Sequence, residues 1–291
     1  MMGKSLVITS GKGGVGKSTT AANLSAVLAM RGKSILLIDL SFGLCGLDLL
    51  LGLEGEARHS LVDVAEGRCR LEDAILRDPR TRGLSLLIGS SGRSKGFVKA
   101  EPLRQLCGQL SKEYDYLVID SQSGIDNGFH VALAVAQQAI VITTPDLPSI
   151  RSVDRARRLI EEAAVPLPGL IVNRVQPRLV ARGVTIPTGH IAALLGLPLV
   201  GIIPESRDFT VAAVRGEPVA INAKSKTGYA FHNIAARLEG QKPPYARWEA
   251  RYRTALPKSH PSIIPWAAKA RTSAGEAQEH LQTGLHNRAL T

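Results

Sequence analysis

The sequence predicts an α/β protein built on a mostly parallel sheet with helices on both faces. Three observations carry that expectation. Short runs of Leu, Ile and Val alternate with longer helical patterns along the first 240 residues, as βαβ units require. Aromatic residues are only 4% of the chain while hydrophobic residues are 44%, so the core must be aliphatic, which suits helix layers on a parallel sheet. A glycine-rich loop containing two lysines stands between the first strand pattern and the first helix pattern.

Each element follows from the same alternation. The apolar run at residues 6–9 is read as the first strand, and residues 17–30 as the helix that follows the glycine-rich loop. Further strands are expected at 34–39, 84–88, 116–120, 139–144, 170–175 and 199–203. Helices are expected at 101–112, 127–136, 149–163, 188–195 and 229–238. Ligands on such sheets bind at the carboxyl ends of the strands. Asp39, Asp120 and Asn173 stand at such ends.

With 291 residues the chain is long enough for one large domain or two small ones. The pattern breaks near Gly240, so a body over residues 1–240 and a tail over 241–291 are expected, the tail partly disordered. The tail holds eight Lys and Arg against three Asp and Glu, within a total net charge of +11. That charge points to a polyanionic partner: nucleotide, nucleic acid or acidic membrane. Tyr245, Trp248, Tyr252 and Leu256 fall on one helical face over residues 245–256, with Arg247, Arg251 and Arg253 around them. Aromatic rings above a basic rim suit contact with an anionic membrane surface; the alternative is a helix packed on the body. Three cysteines, Cys45, Cys69 and Cys107, form no CxxC pair, which gives neither a zinc ribbon nor a cluster site and fits a reducing cytosol. With no long apolar stretch, the expected location is the cytoplasm, peripheral at the inner face of the cell membrane.

The strongest local signal is Gly11-Lys12-Gly13-Gly14-Val15-Gly16-Lys17-Ser18, followed by Thr19. It fits G-x-x-x-x-G-K-[ST] in the required place, after a strand and opening a helix. Glycines let backbone N–H groups curl around phosphate oxygens. Lys17 reaches the β- and γ-phosphates, Ser18 offers a hydroxyl to Mg²⁺, and the helix N-terminus adds partial positive charge. A nucleoside triphosphate and Mg²⁺ are therefore the expected ligands, with Ser18 and the strand-end acid Asp39 on the metal side.

SGKGGVGKSTT resembles the deviant phosphate loop of the MinD/ParA family of P-loop ATPases. GLDLLLGLEG (46–55), LVDVAEGRCRLEDAILRDPR (61–80), YDYLVIDSQSGIDNGF (114–129), AIVITTPDLPSIRSVDRA (139–156), GLIVNRV (169–175) and LVGIIPESRD (199–208) through RGEP (215–218) also resemble MinD segments, in the family's order. The resemblance covers roughly the first 240 residues. It implies a P-loop NTPase fold and an ATP-dependent homodimer in which Lys12 reaches the partner subunit's phosphates. It gives Asp120 the role of holding Mg²⁺ through water. It implies that Asn173, Arg174, Pro204 and Glu205 line the adenine, and that Arg151 and Asp154 lie on a dimer and partner face. The implied role is division-site placement at the membrane with a MinC- or MinE-like regulator. A ParA-like DNA-partition ATPase is the alternative, with DNA the less favoured partner, and a nucleotide-binding scaffold without turnover is a further one. A reductase resembling the nitrogenase iron protein would need cluster cysteines that this pattern lacks.

Three features depart from the family pattern. The acid that follows Asp39 by two residues and orients the attacking water is replaced by Ser41. The polar pair before Leu47-Asp48 is Cys45-Gly46, and the proline two residues after Asp120 is Gln122. Lys12, Lys17 and Ser41 are thus the catalytic candidates, with binding expected intact and hydrolysis slowed.

Overall fold

The computed structural model describes residues 3–41, 46–90, 98–246, 248 and 249. Eight strands form one sheet in the order β3-β4-β2-β5-β1-β6-β7-β8. They are β1 Lys4–Thr9, β2 Ile35–Asp39, β3 Leu76–Arg77, β4 Leu84–Leu87, β5 Tyr116–Asp120, β6 Gln138–Thr143, β7 Gly169–Val175 and β8 Leu199–Pro204. Every pairing is parallel except that of β3 with β4 at the edge. The expected α/β class with a mostly parallel sheet is thus observed.

The main helices are α1 Lys17–Met30, α5 Ala100–Leu110, α6 Asn127–Ala134, α7 Leu147–Glu162, α9 Thr188–Leu195 and α11 Lys226–Leu238. Shorter ones are α2 Leu47–Leu50, α3 Leu61–Ala65, α4 Leu71–Ala74, α8 Pro177–Ala181 and α10 Asp208–Arg215. Side chains of a strand point alternately to opposite faces. Accordingly Leu6 and Ile8 of β1 join one apolar cluster, while Val7 between them joins the other. The first cluster is closed by Leu24 of α1 and by Phe231 and Ile234 of α11. The second is closed by Leu103 of α5, Phe129 of α6, Ile150 of α7 and Ile191 of α9. Helices therefore cover both faces, and the sheet core is aliphatic because both sides of every central strand are dry.

Two helices begin earlier than the apolar period suggests, because caps decide helix ends. Asp146 caps α7 by accepting from Ser149 N at 3.0 Å, and Ser225 caps α11 by accepting from Gly228 N at 2.9 Å. α11 stops at Leu238, close to the anticipated break at Gly240, yet Tyr245 beyond it stays on the body. Tyr245 donates its hydroxyl to Leu199 O at 2.7 Å, and the Arg237 guanidinium lies 4.1 Å from the Tyr245 ring centroid. Trp248, one residue of the expected membrane-contact face, is half-buried and packs against the cluster that holds Leu103, Phe129, Ile150 and Ile191, as the alternative of a segment packed on the body has it. Tyr252 and Leu256, the other two residues of that expected face, lie outside the described residues, as does Cys45.

Candidate functional site

The carboxyl ends of β1, β2, β5 and β7 converge on the loop between β1 and α1. Gly11 and Gly16 show why glycine is required there. A Cβ on Gly11 would collide with the carbonyl of Ser152 in α7. Gly16 has φ of 96°, and a Cβ there would strike the Asn173 amide. The loop is braced by Ser10, whose hydroxyl donates to Lys12 O at 2.7 Å. Its exit is braced by Asn173, whose Nδ2 donates to Val15 O at 2.8 Å. Gly13, Gly14 and Thr19 complete the turn into α1.

The two lysines differ in surroundings. Lys12 is exposed, and its Nζ lies 3.8 Å from Asp146 Oδ1. Lys17 is buried and donates to Ser123 Oγ at 2.7 Å. Burial lowers the Lys17 pKa, while the nearby Asp120 charge works the other way.

Asp39 and Asp120 are register partners on adjacent parallel strands, and both are fully enclosed. Burial, and secondarily the neighbouring Asp120 carboxylate, push Asp39 up to about 7. Burial likewise pushes Asp120 up to about 6, against the opposing effects of the Ser18 hydroxyl and the Lys17 charge. Ser41 turns back onto this pair. Its amide donates to Asp39 Oδ1 at 2.7 Å, and its hydroxyl also bonds that carboxylate.

Mg²⁺ fits this donor set. Neither Asp120 oxygen has a close hydrogen-bond partner, so a buried anion beside Ser18 is left to be satisfied. Among the described residues no three His, Cys, Asp or Glu side chains group into a metal cage. That agrees with Mg²⁺ chemistry, in which phosphates and waters supply most ligands and the protein one or two.

The adenine-side candidates also assemble here. Asn173 is buried, and its Oδ1 accepts from Arg174 N at 2.8 Å. Arg174 is exposed and left-handed, with φ of 55°. Pro204 pairs with Val175, and the exposed Glu205 donates its N–H to Val175 O at 3.0 Å. On α7, Arg151 is exposed. Asp154 is buried and pairs with Arg157 at 3.2 Å and Arg158 at 3.0 Å on its own helix.

Sequence reasoning missed Asp146 and Ser123. Asp146 has a local signal, since its position three residues before Ser149 is an N-cap pattern. Ser123 has none, because 106 residues separate it from the lysine that it touches.

Comparison with known proteins places the architecture in context. The family model described as ParA, "NUBPL iron-transfer P-loop NTPase", matches residues 2–239. The septum site-determining protein MinD of Synechocystis is 43% identical over 256 residues, covering 88% of this chain and 96% of that protein. MinD of Bacillus subtilis is 40% identical, covering 84% of this chain and 91% of that protein. Among solved structures, the MinC:MinD cell division protein complex of Aquifex aeolicus superposes with a TM-score of 0.77 at 36% identity, over 84% of this chain and 98% of that one. MinD of Pyrococcus horikoshii complexed with Mg-ADP gives 0.75 at 26% identity, over 82% and 96%.

Proposed function

The chain belongs to the ParA family of P-loop NTPases, and from that premise we propose that it is a MinD-like ATP switch acting in division-site placement. It binds Mg·ATP, dimerises around the nucleotide, and in that form engages a MinC- or MinE-like regulator and the inner face of the cell membrane. The observation that carries this reading is the site itself. A buried lysine, a second and exposed lysine on the same loop, and an enclosed carboxylate beside Ser18 meet at one sheet edge.

The roles follow from the geometry. The loop amides from Gly11 to Lys17 and the start of α1 cradle the phosphates. Lys17 holds its charge in a dry setting, where it acts on phosphate oxygens far more strongly than in water. Lys12 is held only by a half-exposed ion pair, so it is free to turn towards a second subunit's phosphates. When bound, Mg²⁺ would neutralise phosphate charge, with Ser18 offering it a hydroxyl and Asp120 orienting its waters. Asn173 fixes the loop, while Arg174, Pro204 and Glu205 border the base.

A nucleotide-binding scaffold with little turnover is the second reading. It is favoured by the Ser41 hydroxyl, which bonds Asp39 and carries no charge to polarise a water. ATP turnover and sedimentation, measured alone, with anionic liposomes and with DNA, test both. ATP-dependent sedimentation with liposomes supports the switch. Salt-sensitive DNA binding would replace it with a partition role. ATP binding without any turnover would leave the scaffold.

A further inference from the structure

Three consecutive polar residues follow Asp120, and each has a different destination. Ser121 donates its hydroxyl to Thr9 Oγ1 at 2.9 Å inside the core. Gln122 lays its carboxamide over α6, where a Cβ on Gly128 would collide with its Oε1. Only Ser123 turns to the phosphate loop. Its Oγ lies 2.7 Å from Lys17 Nζ, and its side chain also flanks Gly13, whose Cβ would stand 3.7 Å from Ser123 Cβ. The Ser41 hydroxyl is spent on Asp39.

We propose that Ser123 is a positioning residue that ties the segment after β5 to the terminal phosphoryl group of a nucleoside triphosphate. The assignment rests on the nucleotide-switch reading above and deepens it. A lysine ammonium only donates, so Ser123 Oγ is the acceptor in the Lys17 bond. The Ser123 hydroxyl proton is then directed away from Lys17, and a second lone pair remains on Oγ. A phosphate-loop lysine bridges the β- and γ-phosphates. A hydroxyl one hydrogen bond from that ammonium can donate to a γ-phosphate oxygen or to the water facing it. A diphosphate lacks the γ-phosphate oxygens and leaves only the β-phosphate beside that ammonium. Ser123 is exposed while Lys17 is buried, so the hydroxyl sits on the solvent side of the ammonium, where an attacking water must enter. Ser123 thus fixes Lys17 and senses the triphosphate, and supplies the polar contact that Ser41 cannot.

The test is binding of AMPPNP and of ADP, each with Mg²⁺, to the full chain and to Ser123→Ala and Ser123→Thr, followed by steady-state turnover. Ser123→Ala should weaken AMPPNP about fivefold, the worth of one hydrogen bond, and leave ADP within about twofold. It should lower kcat more than it changes KM, and Ser123→Thr should restore both. Equal losses for AMPPNP and ADP, or no loss, would overturn the assignment while leaving the switch standing. A wild-type chain that binds neither nucleotide would remove the switch and the Ser123 role together.

Discussion

Replacing Asn173 should loosen the phosphate loop and the fold together. The side chain is buried at 6% exposure and makes two bonds of 2.8 Å, one from Nδ2 to Val15 O and one to Oδ1 from Arg174 N. Asn173→Ala deletes both. Each is worth about 1 kcal/mol net, and leaving the enclosed Val15 carbonyl unpaired adds about 1–2 kcal/mol. Arg174 sits at a φ of 55°, and loses the bond that holds its left-handed turn. A total of about 3 kcal/mol corresponds to a fall in Tm on the order of 10 °C for a domain of this size. Because Val15 lies inside the phosphate loop, ATP affinity should fall as well. Asn173→Asp separates the two bonds. It keeps an acceptor for Arg174 N but turns a donor into a carboxylate facing the Val15 carbonyl and the phosphate cradle. It should cost as much stability and more ATP affinity than the alanine. Calorimetric Tm and titration with ATP measure both quantities. If Asn173→Ala melts within about 2 °C of wild type and binds ATP equally well, the clamp does not exist.

Three further outcomes are expected. Lys12→Ala should leave Tm nearly unchanged, since the half-exposed pair with Asp146 is worth under about 1 kcal/mol. It should abolish ATP-dependent dimerisation, measured by light scattering; a mutant that still dimerises would remove the role of Lys12 at the partner subunit's phosphates. Ser41→Asp should raise ATP turnover, by up to about a hundredfold, if a water-positioning acid is what the site lacks. An unchanged rate that Lys17→Ala abolishes would mean that the water is oriented by another group. The third outcome concerns pH. Asp39 and Asp120 have folded pKa values raised to about 7 and about 6, so the fold gains from their protonation. That stabilisation is fully present below the ordinary carboxylate range and is lost as pH rises through 6 to 7. Tm without nucleotide should therefore rise from pH 8 to pH 6, while Mg·ATP binding, which needs the anions, should weaken and release protons in that window. A flat profile in both measurements would contradict the shifts.

The sheet was legible because its central strands are buried on both faces and read as unbroken apolar runs. Strand β3 was not, since two residues at an edge carry no period. Helices α2, α3, α4 and α8 span four or five residues, too few for a repeat of 3.6 to show. The glycine-rich loop was legible because phosphate chemistry fixes residue types at fixed spacing. The Lys17–Ser123 bond was not, because only the folded sheet brings β5's end beside the loop. Trp248 shows a different limit. One apolar face at helical spacing serves a membrane or a protein surface equally well, and here the Tyr245 hydroxyl on Leu199 settles where that stretch begins to pack.

The serine at position 41 makes physical sense once the two enclosed acids are seen together. Asp39 and Asp120 stand opposite each other on neighbouring strands, and each raises the cost of ionising the pair. Ser41 offsets part of that cost by donating to Asp39 from both its amide and its hydroxyl. An ionised aspartate at 41 keeps the amide but loses the hydroxyl donor, and sets a third negative charge beside two others. Serine therefore gives a quieter pocket at the expense of polarising a water. On the proposed switch reading, serine at 41 serves a long-lived triphosphate state, and the proposed Ser123 contact keeps Lys17 in place for its cleavage.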